Sequence, residues 1–360
     1  MRQVIVLSAT LGLALLGSYL TWTDTTEEVD DKTVVVVRGE VDALKKIVWD
    51  GEDTITLSTR SDDKGDYLWV ELIDRTKTPV APPEPPADEA EEPDQEEPLP
   101  AVDEDEVEDD EVEDEVEAEP EYEVTEKRIE FLGNTQAQQT WEAFAPLNAL
   151  RELAGSSDAD PDVFEFDAPE ATITIEGAST AEVVLGGESF GSKNRYARHD
   201  GKVYLLGDAI IRPLQFASSR LVERTLQPLA RDEIVSVDVH LPDGTTHQFA
   251  QHKADVPAEA FWARVDTPDV SDLDAATWLD KAFSLRLRGY VHADEVTEEL
   301  TEAVRYVVHG TEGAWTVEIL RAAGEEPVWY ARSDFNRSLL SLTASLAQNF
   351  VDDLDALAAP

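Results

Sequence analysis

A chain of 360 residues with 29 basic and 78 acidic side chains carries a formal charge of −49. Such a field repels phosphate at every approach, which disfavours nucleic acid and anionic lipid surfaces and leaves cations or cationic proteins as company. The absence of cysteine removes disulfides, thiolate nucleophiles and Cys-ligated metal centres together.

The run from Val4 to Leu20 holds no charge, and uncharged residues continue through Thr23. That length, roughly 20 residues, spans a hydrocarbon core as a helix. Arg2 precedes it and Asp24, Glu27 and Glu28 follow it, so the positive end is expected in the cytoplasm and the rest outside. The segment "LALLGSYLTWT" offers no A-x-A cleavage site, which favours an anchor over a cleaved signal peptide.

Residues 33–78 read as a small β-rich block. "TVVVVRG", "DTITLST" and "DYLWVELI" predict three strands, with one helical turn around Val41 to Lys46. From Pro79 to Glu126 the composition changes to 24 acids, nine prolines and no base. Such a segment buries too little apolar surface to repay its ordering entropy, and it reads as a disordered, self-repelling acidic linker. Its run "VDEDEVEDDEVEDEVEAE" lacks the glycine turn that gathers oxygens around calcium.

Beyond residue 127 the pattern predicts a helix over "QAQQTWEAFAPLNALRELAG" and then strands at "ATITIEG", "AEVVLGG", "NRYARH" and "KVYLLG". The last two are joined by Asp200-Gly201, a strong two-residue hairpin signal. A helical segment around Leu214 to Leu226 and a hairpin about Asp243-Gly244 follow. The same order restarts near Phe261. Ser271 with Asp274 suggests a helix cap, and strands follow at "FSLRLRGYV", "AVRYVVHG", "AWTVEILRA" and "PVWYARS". A closing amphipathic helix is expected from Leu339, Leu342, Leu346, Phe350, Leu354 and Leu357. Sliding the second half back by 134 residues superimposes Tyr330, Ala331, Arg332, Asp334, Leu339, Leu340 and Phe350 on Tyr196, Ala197, Arg198, Asp200, Leu205, Leu206 and Phe216. An internal duplication of an α+β module is the expected cause.

The apolar N-terminus, "DTITL" and "VLGG…YARHDGKVYLLGDAIIRPLQFASSRLVERTL" together resemble a family of uncharacterised bacterial proteins known only as a domain of unknown function. Its members often occur beside gliding-motility-type ABC transporter components. The resemblance implies a periplasmic, membrane-tethered accessory protein and carries no catalytic residues.

Two clusters invite a chemical reading. Arg195, Arg198, His199 and Asp200 fall within six residues. In a two-residue hairpin, however, Arg198 faces Val203 and Tyr196 faces Leu205, while His199 points to the opposite side and Asp200 serves the turn. If the Asp243-Gly244 hairpin closes with an even loop, His240 and His247 are cross-strand neighbours that would offer two metal ligands, with His252 or an acid as the third. Val235, Val237 and Val239 mark the other face as the buried one, which makes His240 a solvated strand residue. "GG" at 186–187 reads as a turn. The chain has no G-x-S-x-G elbow, P-loop, G-x-G-x-x-G or H-E-x-x-H motif.

The expected organisation is α+β: an N-terminal transmembrane anchor (1–24), a small strand block (33–78), a disordered acidic linker (79–126), and two tandem related α+β modules with antiparallel sheets (127–256 and 257–360). The expected function is a non-enzymatic, membrane-tethered periplasmic accessory or scaffolding protein, with a glycan- or cation-binding module as the alternative. No catalytic, cofactor-binding or metal-binding residue and no cofactor is assigned. Expected partners are the inner membrane, through the N-terminal helix, and an envelope or transporter protein, but not nucleic acid.

Overall fold

The computed structural model describes residues 33–79, 122–153, 161–324 and 327–358. The proposed anchor and most of the acidic linker lie outside these residues. Among the described residues no helix is long and apolar enough to cross a membrane.

The chain opens with β1 (Val34–Val37), a 3₁₀ turn at Val41–Ala43, then β2 (Lys46–Asp50), β3 (Thr54–Asp62) and β4 (Gly65–Pro79). The stretch read as three strands thus holds four. The last five residues read as acidic linker, 122–126, are already strand: β5 (Tyr122–Leu132) is followed by α1 (Thr135–Ala143), β6 (Leu147–Ala149) and β7 (Arg151–Glu152). The helix expected to reach residue 155 stops at Ala143, ahead of Pro146, whose missing amide cannot continue it. Next are α2 (Pro161–Phe164), β8 (Ala171–Glu176), β9 (Thr180–Glu188), β10 (Arg195–His199), β11 (Lys202–Leu206), α3 (Asp208–Gln215) and α4 (Ala217–Arg220).

The remainder comprises β12 (Ile234–His240), β13 (Thr246–His252), β14 (Phe261–Arg264), α5 (Leu273–Ser284), β15 (Leu287–Val291), β16 (Leu300–Gly310), β17 (Ala314–Ala322), β18 (Trp329–Ser333), β19 (Leu339–Leu342), α6 (Ala344–Asp352) and α7 (Leu354–Ala358). Leu339 and Leu342, expected at the head of the closing helix, belong to a strand. The helix begins only at Ala344.

The strands form two large sheets, and the described pairings are antiparallel. The first runs β5-β4-β3-β2-β8-β9-β10-β11-β7, and the second runs β14-β13-β12-β16-β17-β18-β19-β15. Apart from the extra edge strand β5, the two orders are the same element for element, the arrangement that an internal duplication would leave. Strands β2 to β4 occupy in the first repeat the places of β12 to β14 in the second. The block at 33–78 therefore pairs within the first repeat's sheet. The boundary read at 256–257 falls inside the second sheet, because β12 and β13 belong there. The linker interrupts the first repeat between β4 and β5.

Helix α1 and helix α5 are equivalent, and both start on the same device. Asn134 accepts a hydrogen bond from Ala137 N at 3.0 Å, and Asp272 accepts one from Ala275 N at 2.9 Å. The cap is thus Asp272 rather than Ser271. Each repeat has its own core. Ile47, Leu57, Ile173 and Leu185 centre the first, and Val237, Phe249, Tyr306 and Ile319 centre the second. Tyr290 packs against both.

The equivalences also correct the register of the repeat. Arg198 pairs with Val203 across the first hairpin, and Arg332 pairs with Leu339 across the second. Two more residues lie in the second turn, so Leu339 matches Val203 and Phe350 matches the buried Leu214, not Phe216. The 134-residue slide holds up to Arg332 and fails beyond it.

Residues 74–127 form a unit of their own, in which Arg75 Nε lies 3.3 Å from Glu126 Oε1.

Candidate functional site

The hairpin of β10 and β11 has the expected register, with Tyr196 opposite Leu205 and Arg198 opposite Val203. Asp200 and Gly201 both adopt positive φ, at 49° and 74°, the geometry of a type I′ turn. Of the four polar residues, His199 Nε2 and Asp200 Oδ2 lie 3.4 Å apart, while the two arginines turn elsewhere. Arg198 lies exposed over the Phe166 ring, and His199 Nδ1 sits 2.7 Å from Glu182 O. Arg195 is buried and turns the other way, toward Glu170 and Glu188.

The histidines do not converge. His240 pairs with Thr246, and His247 pairs with Val239. Leu241 N donates to Thr245 O, closing a three-residue loop with Gly244 at φ 88°. The odd loop shifts the pairing by one residue, which puts His240 and His247 on opposite faces. His247 accepts from Arg264 Nη1 at 3.3 Å, and His252 stacks on Phe261 with ring centroids 5.1 Å apart. Among the described residues no cluster of three potential metal ligands exists.

The Gly186-Gly187 pair lies within β9 and not in a turn. A Cβ on Gly186 would stand 2.0 Å from Phe164 O, so the glycine lets α2 cross the strand at close range. Trp141, Trp262, Trp278 and Trp329 are core residues. Trp315 is only half-buried and stands at the junction of the repeats.

That junction is the place the sequence did not reveal. β3 ends at Asp62, the turn to β4 carries Asp63 and Lys64, and this corner meets the connection between β18 and β19. Arg337 donates to Asp62 through Nε at 2.5 Å and Nη2 at 3.1 Å, and its guanidinium carbon lies 3.9 Å from the Tyr67 ring centroid. The Arg337 guanidinium holds the Asp62 carboxyl below the ordinary carboxylate value. Lys64 Nζ donates to Ala314 O at 2.9 Å and lies 5.0 Å from the Trp315 ring centroid. Nearby, Tyr290 donates to Glu223 O at 3.1 Å and accepts from Asn336 Nδ2 at 3.0 Å. Burial pushes the Tyr290 phenol well above its ordinary value, so it stays a neutral donor.

Beside this clamp lies a cleft of about 680 Å³, lined from the first repeat by Asp62, Asp63 and Lys64 and from the second by His292, Glu298 and Arg332. A second cleft of about 430 Å³ holds Tyr67, Trp315 and Phe335 on the other side of Arg337. Arg337 itself has φ of 59°, a left-handed conformation that costs a non-glycine residue on the order of 1 kcal/mol. Its side chain is therefore held where backbone preference alone would not put it.

No curated protein and no solved structure matches the chain. Residues 134–302 match a domain of unknown function (DUF4340), a stretch that starts at the cap of α1 in the first repeat and ends within β16 of the second.

Proposed function

We propose that the protein is a non-enzymatic accessory or scaffolding protein, tethered by residues 4–23 to the outer face of the inner membrane, where it serves an envelope machine such as a gliding-type ABC transport system. The tether rests on the uncharged run from Val4 to Thr23 and the acids after it. The observation that carries the binding role is the 680 Å³ cleft to which both repeats contribute charged side chains of both signs. Complementary charge of that kind steers and orients a protein partner. The test is a photo-cross-linker at position 63, on the cleft's lip, in intact cells. The expected product is an adduct identified as a membrane-embedded transport subunit. Adducts from other surface positions but none from position 63 would refute the assignment.

The cleft's size also favours a second reading, a glycan or a cation held between the repeats. A specific ligand at a hundredfold excess over its dissociation constant adds about 2.7 kcal/mol of stability, which a thermal shift separates from a protein-docking surface.

A further inference from the structure

The two repeats act as controls for one another, and one place in the fold differs in kind. In the second repeat Ala303, Trp329 and Val351 pack on the core. Their counterparts in the first repeat are Glu170, Arg195 and Gln215. The match is fixed by neighbours. Ala197 and Ala331, both fully buried, pair with Leu185 and Ile319, and Ile211 and Leu214 take the places of Ala347 and Phe350.

The three polar side chains form one network. Glu170 accepts from Arg195 Nε through one oxygen and from Gln215 Nε2 through the other. Arg195 also donates to Lys193 O at 2.7 Å and pairs with Glu188 at 3.0 Å, while being only 8% exposed. Replacing buried ion pairs by apolar residues is often neutral or stabilising, and this chain holds the apolar solution in its own duplicate. Stability alone is thus weak grounds for the network.

The network lines a cleft of about 330 Å³ together with Trp49, Asp53, Lys193 and the half-exposed Phe216. Phe216 is half exposed although its ring is wholly apolar. Five carboxylates and three basic groups line the space. The acid excess, inside a chain of charge −49, repels anions. The basic groups set beside the carboxylates oppose a bare cation. Fixed donors and acceptors together suit hydroxyl groups, which both donate and accept. An exposed flat ring suits the C–H face of a sugar.

We propose that this cleft of the first repeat is a carbohydrate-binding site, in which Phe216 stacks on a sugar ring and the Glu170, Arg195 and Gln215 network orients its hydroxyls. It is separate from the cleft between the repeats.

The test is saturation-transfer NMR on the full chain in a detergent without sugar head groups, with glucose, galactose, mannose and N-acetylglucosamine as probes. At least one sugar is expected to receive saturation at its ring protons. Phe216→Ala should weaken its binding about fivefold or more, by loss of the stacked ring. Leu346→Ala, an exposed apolar side chain on the second repeat, should leave it unchanged. Phe216 is exposed, so its truncation should leave the melting temperature in place. Silence from all four sugars overturns the proposal, as does transfer that is equal in wild type and Phe216→Ala.

Discussion

Arg337 of the second repeat lies flat over Tyr67 of the first, its guanidinium carbon 3.9 Å from the ring centroid, while two of its nitrogens grip Asp62. One side chain therefore ties a turn to a strand 270 residues earlier in the chain, through an ion pair and a stacked cation together. The arginine is largely shielded from water, which lets the ring's quadrupole act at short range.

Arg337→Leu should loosen the joint. It removes the stacked cation and both hydrogen bonds, at a cost of about 1–2 kcal/mol, and leaves each repeat's core intact. Calorimetry should show a lower or split transition. An unchanged single transition would mean that the repeats are held by their apolar contacts alone.

The same pair sets an acid limb. The folded-state pKa of Asp62 lies below its ordinary 3.8, so its contribution is fully present above that value and is lost as pH falls through the folded value. Asp62→Asn should remove that part of the decline. Denaturant melts below about pH 4 would then run closer together for variant and wild type than melts at neutral pH.

Tyr290→Phe isolates the second contact of the joint. The phenol donates to Glu223 O and accepts from Asn336, while its ring tilts against Phe131 at a centroid distance of 6.0 Å. Phenylalanine keeps the ring and leaves Glu223 O without that donor, a cost of about 1–2 kcal/mol. Chemical denaturation with an unchanged slope is the measurement. A larger loss would show that the ring itself had moved.

How much of this was legible in the sequence depends on the range of each interaction. The Asp200-Gly201 turn and its register were readable because two adjacent residues fix both φ angles. The Asp243-Gly244 turn looked alike, but its loop closes on three residues, and one residue is enough to turn His240 away from His247. The resemblance of the halves was visible at "YAR", yet the linker between β4 and β5 hid that β2 to β4, the counterparts of β12 to β14, precede it. Strand β2 was missed because Lys46–Asp50 is short and ends in polar residues at both sides. The clefts were invisible for a further reason. Arg195 announced a cluster with Arg198 and His199, but strand alternation parts it from Arg198, four residues of strand part it from His199, and it turns toward Glu170; Arg337 carried no local signal at all.

Gly186→Ala should be among the most damaging small substitutions. Its Cβ would stand 2.0 Å from Phe164 O and 3.0 Å from the Phe166 ring, and the carbonyl belongs to backbone that cannot rotate aside. The expected loss is about 3 kcal/mol or more. Gly191→Ala is the comparison: its Cβ meets nothing within 4 Å, so only the strain of its φ of 74° remains. If the two variants melt alike, crowding under α2 is not what fixes Gly186.

His247 gives the second repeat a pH response near neutrality. Its pKa is lowered from the ordinary 6.5, first by burial and then by the Arg264 guanidinium, against opposing pulls from Asp243 and Asp272. The unfolded chain therefore binds this proton more readily than the folded one, so stability falls as pH drops below about 6.5. Arg264 transmits the effect, because it also donates to Asp272 at 2.9 Å and to Leu357 O at 2.7 Å, linking the cap of α5 to the last helix. A proton on His247 sets two cations 3.3 Å apart and works against both links. In His247→Leu the stability difference between about pH 7.5 and pH 5.5 should shrink. Hydrogen exchange in α7 should lose its acceleration at the lower pH as well. Persistence of both in the variant would place the response at another histidine.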